Sequence, residues 1–271
     1  MSHPLHGSPY GPATNTIGSP FIELQSVDST NNYARQQIHA ACLPDRQGSA
    51  QHGMTFFAHE QTNGKGQRGR VWMAEPGANI TMSILVKPAP LPLSRQFQLN
   101  ACVAVSVHEF FMKYAGEATK IKWPNDLYWQ DRKAGGMLIE SVVGSRESGV
   151  STWDWAIIGI GININQTSFP ADLPNPVSLK QITGEDFNVV ALAKELCGVF
   201  QRRFDELIGS GAENIFSIYN SHLYKVNEKV KLKKETRVFE VMIKSVSPDG
   251  KLLTHHAIEE EFDFGDVEWV L

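Results

Sequence analysis

Residues 119–144 read TKIKWPNDLYWQDRKAGGMLIESVVG. Pro124 with Asn125-Asp126 punctuates a first reversal, and Gly135-Gly136 stand just before the last apolar run. The stretch therefore predicts strand, turn, strand, tight turn, strand. Four polar residues bracket the hairpin: Lys122, Asn125, Asp126 and Lys133. A carboxylate beside a carboxamide suits a magnesium ion or a ribose and adenine edge, and lysines suit phosphate or carboxylate. Asn-Asp is also a common turn pair, so a plain charged hairpin is the competing reading.

Working outward, WDWAIIGIGINI (153–164) predicts a buried strand interrupted by Gly159 and Gly161. Glycines inside a strand mark a close backbone approach or a bulge. Asn163 and Asn165 share a face by period two, and asparagine can match an adenine edge. Upstream, MTFFAHEQ (54–61) and ANITMSILVK (78–87) predict two further strands. Between them lies GKGQRGRVW (64–72). Its glycines free the backbone, and Lys65, Arg68 and Arg70 add charge, so the run can cradle an anion. It lacks the spacing of a P-loop. The glycines at 64, 66 and 69 match a dinucleotide fingerprint, but a strand follows them rather than a helix. A mobile basic surface loop is the plain alternative. No apolar anchor lies between Gln61 and Val71, which predicts a poorly ordered loop in the absence of ligand.

FIELQSV (21–27) predicts a strand leading into a helix capped at Ser29 or Thr30. A helix N-terminus also offers free N–H donors. Two long helices follow in the pattern: one over residues 94–115, with Ser94 as cap and Gly116 as terminator, and one over 189–208 capped by Asn188. A third covers 212–223. After Tyr224 short alternating strands begin, with Pro248-Asp249-Gly250 as a turn, which predicts a small β-barrel. Lys225, Lys229, Lys231, Lys233, Lys234 and Arg237 read as a solvated face on an edge strand, offset by Glu259 to Glu261.

The chain has 271 residues, 42% apolar and 20% charged, with a net charge of −4. That balance fits one main domain with an appendage and argues against general nucleic-acid binding. Cys42, Cys102 and Cys197 are scattered and form no CxxC pair, so neither a disulfide framework nor a zinc site is expected, and a cytoplasmic protein fits. No signal peptide or membrane span is expected.

DSTN, EQTNGKGQRGRVW, KWPNDLYWQDRKAGGMLIE and GIGININ, in this order and followed by a small β domain, resemble the biotin protein ligases. The resemblance covers residues 21–271. It implies an α+β fold: a mixed sheet of the class II aminoacyl-tRNA synthetase type with helices on one face, plus a C-terminal SH3-like barrel. The domain limits expected are a flexible arm at 1–20, a catalytic domain at 21–223 and the barrel at 224–271. It implies ATP with Mg2+ as co-substrate, biotin as substrate, no tightly bound cofactor, and a two-step reaction through biotinyl-5′-AMP onto a lysine of a biotin carboxyl carrier domain. Rival readings are a lipoate ligase of the same superfamily and a non-catalytic biotin sensor.

The resemblance also assigns residues. Lys133, Arg68, Arg70, Lys122 and Asp126 stand as catalytic positions. Ser29, Thr30, Asn31, Gln61, Gly64, Lys65, Gly66, Lys133, Gly135, Gly159 and Gly161 stand on the biotin side. Lys65, Gln67, Arg68, Gly69, Arg70, Trp72, Lys122, Asn125, Lys133 and Asn163 stand on the ATP side, with Trp72 under the adenine and Asp126 near a magnesium ion. Many relatives carry arginine where this chain has Lys65 and Gln67, which leaves Arg68 or Arg70 to supply the missing charge. With about twenty residues ahead of the core, no winged helix-turn-helix and no specific DNA binding are expected. No membrane partner is expected either, and a homodimer is compatible with the sequence.

Overall fold

A computed structural model describes residues 16–41, 50–145, 151–256 and 258–270. Residues 1–15 of the expected arm, Cys42 and most of the polar loop after it lie outside the described residues. The main sheet has seven strands. In chain order they are β1 (Phe21–Val27), β2 (Thr55–Gln61), β3 (Asn79–Val86), β4 (Thr119–Lys122), β5 (Asp126–Trp129), β6 (Arg132–Ser145) and β7 (Ser151–Asn163). In space they run β1-β2-β3-β7-β6-β5-β4. β1 and β2 are parallel, joined through α1 (Thr30–Ala41), and every other neighbouring pair is antiparallel. The sheet is mixed, as expected.

Period two divides the sheet's faces. Ile80, Met82, Ile84 and Val86 of β3, with Ile158, Ile160 and Ile162 of β7, belong to the main core. That core is covered by the long helices α2 (Gln96–Ala115) and α4 (Val189–Ile208) and by α5 (Ala212–Ser221). The alternate residues Phe56, Leu85 and Ile157 meet Ala34 and Ile38 of α1 on the opposite face. β3 is buried along its whole length, and each large apolar side chain so buried contributes about 1.5–3 kcal/mol.

Three local readings need correction. Ser94 does not cap α2. A 3₁₀ turn at Leu93–Arg95 precedes the helix and places Arg95 at the cap with no side-chain bond, because Pro92 presets the first turn. Gly135-Gly136 lie within β6 rather than before it. The reversal falls at Gln130-Asp131, with Gln130 at φ 52°, and a register shift at Leu127/Tyr128 accommodates the glycines. A short helix, α3 (Leu179–Thr183), was not expected, although Ser178 and Gln181 spell and form a capping box.

The C-terminal segment forms β8 (Lys229–Lys234), β9 (Arg237–Val246), β10 (Leu252–His255), β11 (Glu259–Phe262) and β12 (Glu268–Val270), ordered β11-β10-β9-β8-β12 and antiparallel throughout. This second sheet is consistent with an SH3-like domain. β8 is not an edge strand, since β9 and β12 flank it. Its lysines lie on the exposed face while Leu232 points inward.

The two sheets are stitched together. Ile121 of β4 accepts from the Tyr224 N–H at 2.8 Å and donates to the His222 carbonyl at 2.9 Å. Trp123 Nε1 donates to the Gly250 carbonyl at 2.9 Å, and the Tyr224 hydroxyl donates to Asp131 at 2.6 Å.

Candidate active site

A cavity of about 610 Å³ opens between the start of α1, the glycine–basic loop, the 123–126 turn, β6, β7 and the C-terminal sheet. Its two ends differ in chemistry. One end is built mainly of hydroxyl and amide side chains, with the charges gathered on Glu140 beside them. The Thr30 backbone N–H and hydroxyl both donate to Gln61 Oε1, at 2.8 and 3.1 Å. Ser83 Oγ lies 2.7 Å from Thr30 Oγ1 and 2.6 Å from Asn31 Oδ1. Asn31 Nδ2 donates to Glu140 at 2.7 Å, and Arg35 and Lys65 pair with the same carboxylate at 3.2 and 3.6 Å. Ser29 is buried beside them and lines the cavity.

The other end is cationic. The β5–β6 hairpin brings Lys133 Nζ to 2.8 Å from Asp126 Oδ1. Lys122 is buried. Its ammonium donates to the Tyr128 hydroxyl at 3.0 Å and lies over the rings of Tyr128 and Trp269, at 4.6 and 5.3 Å. Burial lowers the Lys122 pKa to about 8, the nearby charges of Lys133 and Arg70 act the same way, and Asp126 opposes them. Burial also raises the Tyr128 phenol.

The loop is itself a small hairpin. Gly66 N–H donates to Arg70 O at 2.7 Å and Trp72 N–H to Gly64 O at 2.8 Å, with a 3₁₀ turn at Gln67–Gly69. Its N–H groups are therefore partly consumed internally, and the open cradle expected from the sequence is narrower. Nor is the loop unanchored: the Arg68 guanidinium donates to the Phe264 carbonyl at 3.2 Å and lies 4.6 Å from the Phe264 ring centre.

Of the residues singled out from sequence, Ser29, Thr30, Asn31, Gln61, Lys65, Gly66, Gln67, Arg68, Arg70 and Trp72 line the cavity, as do Lys122, Asn125, Asp126, Lys133, Gly159, Gly161 and Asn163. Gly64 and Gly69 do not; they line a smaller cleft on the loop's other side, with Glu140. Gly135 does not either. A Cβ there would sit 2.7 Å from the Gly161 carbonyl, so this glycine serves the packing of β6 on β7, and Gly136 reaches the cavity instead. A Cβ on Gly159 would meet Asn31 Oδ1 at 2.5 Å, and one on Gly161 would meet the Trp72 indole at 2.5 Å. The indole thus lies on the Gly161 backbone, and its Nε1 is buried without a hydrogen-bond partner. Asn125 donates to the Met137 carbonyl, and Asn163 donates to the Val177 carbonyl at 3.1 Å. Asn165 does not share that face: β7 ends at Asn163, and Asn165 holds Phe187 instead, donating at 2.8 Å and accepting at 3.0 Å.

Sequence reasoning missed Ser83, Tyr128, Glu140, Phe264, Gly265 and Trp269. Ser83 left one signal, a hydroxyl inside an apolar run. The two C-terminal aromatics left none, because only the folded chain brings that sheet to the cavity.

Residues 24–163 match the family model described as the biotin/lipoate A/B protein ligase family. The chain therefore belongs to the biotin/lipoate A/B protein ligase family, and it is an enzyme of the ligase class. Among the proteins it is similar to are biotin ligases, as the motifs implied. It is 28% identical over 264 residues to the bifunctional ligase/repressor BirA of Bacillus subtilis, covering 96% of this chain and 77% of that protein. It is 26% identical over 237 residues to the biotin–[acetyl-CoA-carboxylase] ligase of Paracoccus denitrificans, covering 85% of this chain and 92% of the other. A solved structure of the Aquifex aeolicus biotin protein ligase, in complex with biotin and ATP, superposes with a TM-score of 0.74 at 25% identity, covering 92% and 97% of the two chains. Among the described residues no helix is long and apolar enough to cross a membrane.

Proposed function

We propose that this chain attaches biotin to a lysine of a biotin carboxyl carrier domain, using MgATP and passing through biotinyl-5′-AMP. The observation that carries the reading is the polarity of the cavity. Neutral hydrogen-bonding groups at Ser29, Thr30 and Gln61 suit a ureido ring, and the cations Lys133, Lys122 and Arg70 gather at the opposite end, where a carboxylate would meet a phosphate. Residues 21–223 form the catalytic unit in this reading, 224–271 the SH3-like domain, and the protein works in the cytoplasm.

Attack of a carboxylate on the α-phosphate brings two anions together, so fixed cations must offset the repulsion and the charge that develops. Lys133, at the cationic end, takes the carboxylate and the acyl-phosphate oxygens. Lys122 and Arg70 take phosphate oxygens. The adenine stacks on Trp72, with Asn125 and Asn163 at its edge. The described residues contain no cluster of three or more His, Cys, Asp or Glu side chains that could cage a metal. One carboxylate, Asp126, fits magnesium that arrives with ATP and keeps its phosphate and water ligands. In the second step the adenylate is already activated, and holding the acceptor amine beside it replaces a bimolecular encounter.

The test is incubation with biotin, MgATP and a biotin carboxyl carrier domain, read by mass. The expected result is one biotinyl mass on the carrier lysine and release of pyrophosphate. Transfer of lipoate but not biotin would move the assignment to lipoate ligation. Biotin binding without pyrophosphate release would leave a sensor.

A further inference from the structure

We propose that Phe264 and Gly265, in the turn before β12, form a catch for the glycine–basic loop, with Arg68 as the residue caught. The inference rests on the reading above, in which that loop closes over the two substrates. It makes Arg68, Phe264 and Gly265 positioning residues and leaves Arg70 as the arginine directed at phosphate.

Three observations converge on the catch. Gly265 has φ 101°, a left-handed conformation that favours glycine. A Cβ built there would lie 1.1 Å from Arg68 Nη2, so the volume another residue's side chain would need is filled by the guanidinium. The same Nη2 donates to the Phe264 carbonyl, and the guanidinium stacks on the Phe264 ring. Phe264 in turn stands edge-on to Trp123, with centroids 6.0 Å apart and planes at 79°. The catch is therefore tied to the turn that carries Asn125 and Asp126.

The loop needs such a tether. Its tip puts Arg68 at φ 55° and Gly69 at φ 75°, two successive left-handed residues, a conformation disfavoured for a residue with a side chain. Val71 is exposed, so no apolar side chain near the tip holds it down. The docked guanidinium supplies the missing anchor. Arg70 lines the cavity together with Lys122 and Tyr128, and its charge acts on both. Arginine at 68 and arginine at 70 thus do different work: one holds the loop, the other faces the anion.

The test compares Arg68→Ala, Phe264→Ala and the double variant in the full chain. The first readout is amide hydrogen exchange at Gly66, Arg70 and Trp72 in the ligand-free protein. Arg68→Ala should exchange about tenfold faster there, since it loses a partly desolvated cation–π contact plus a charged hydrogen bond, and Phe264→Ala, which keeps the backbone acceptor and loses only the ring, should exchange about threefold faster. The double variant should exchange no faster than the faster single. The second readout is release of biotinyl-5′-AMP from the loaded enzyme, expected to quicken about tenfold in Arg68→Ala and about threefold in Phe264→Ala at unchanged melting temperature. Phe264 is half exposed, so its truncation leaves the core intact. Gly265→Ala, which fills the slot, should reproduce the loosened loop, and adding Arg68→Ala should make no further difference. Unchanged exchange in the single variants, or losses that add in the double, would overturn the catch. Faster loop exchange in a protein whose wild type makes no adenylate would keep the catch and discard the ligase reading.

Discussion

Lys133 stands at the cationic end of the cavity, held at 2.8 Å by Asp126. In the proposed reaction, replacing it with alanine removes a fixed cation from the point where charge develops. Pyrophosphate release with biotin and MgATP should fall by at least about 100-fold, and a near-normal rate would sink the assignment. Lys122 offers a pH test. Its pKa lies at about 8, below the usual lysine value, so it carries its charge below that pH and loses it above. The KM for ATP should therefore rise as pH passes 8 toward 9.5, with kcat less affected, and a flat KM over that range would exclude Lys122 from phosphate binding. Much of this scale was legible in the sequence, because chemistry-bearing residue types sit in short motifs and seventeen of the singled-out positions line the cavity. What was not legible is pairing. That Glu140 gathers Asn31, Arg35 and Lys65, or that Tyr128 and Trp269 box Lys122, depends on distances that spacing along the chain does not encode.

At the scale of elements, strands announced themselves best. β3 and β7 are long apolar runs, and the β4–β5–β6 meander was legible from its turn residues. Errors fell at ends, where Pro92 moved a cap and a bulge admitted Gly135-Gly136 into β6. One junction between elements carries a measurable consequence. His108 of α2 and His222 after α5 stack with ring centres 4.2 Å apart, and His108 Nε2 lies 3.0 Å from the Thr119 carbonyl of β4. Burial lowers the His108 pKa to about 4 and also lowers that of His222. For His108, the His222 and Lys120 charges add to the effect while Glu109 opposes it; for His222, Lys120 adds and Glu117 opposes. A folded pKa below the unfolded value means the unfolded chain takes up the proton first. Stability should fall as pH drops from about 6.5 toward 4, by about 3 kcal/mol for His108 alone, and level off below. Urea unfolding of wild type and His108→Gln at pH 7 and pH 4.5 checks this: the variant should lose clearly less on acidification, and equal losses would refute it.

At the scale of the molecule, the C-terminal sheet is more than the appendage its composition implied. Ile121 is laddered to residues 222–224, Trp123 and Asn220 bond to Gly250 and Val246, and Gly250 packs on Phe97. The two sheets should therefore unfold in a single transition, with calorimetric and van't Hoff enthalpies equal. Two separable transitions would contradict that. Trp123→Phe, which loses one buried hydrogen bond, should lower stability by about 1 kcal/mol without splitting the transition. Neither the catch nor most of this seam was visible in the sequence, since Arg68 and Phe264 lie 196 positions apart and Trp123 and Gly250 lie 127 apart.

Trp72 gives the protein a built-in optical probe. Its indole rests on the bare backbone of Gly161 with the ring N–H unpaired, lining the cavity where, in the function proposed above, the adenine settles. An incoming aromatic ring must stack on it or push it aside, and either event changes the polarity and quenching of its excited state. Emission at tryptophan wavelengths should shift on titration with ATP, and Trp72→Phe should abolish most of the change although five other tryptophans remain. Occupancy of the nucleotide end could then be followed in real time, without label and without turnover.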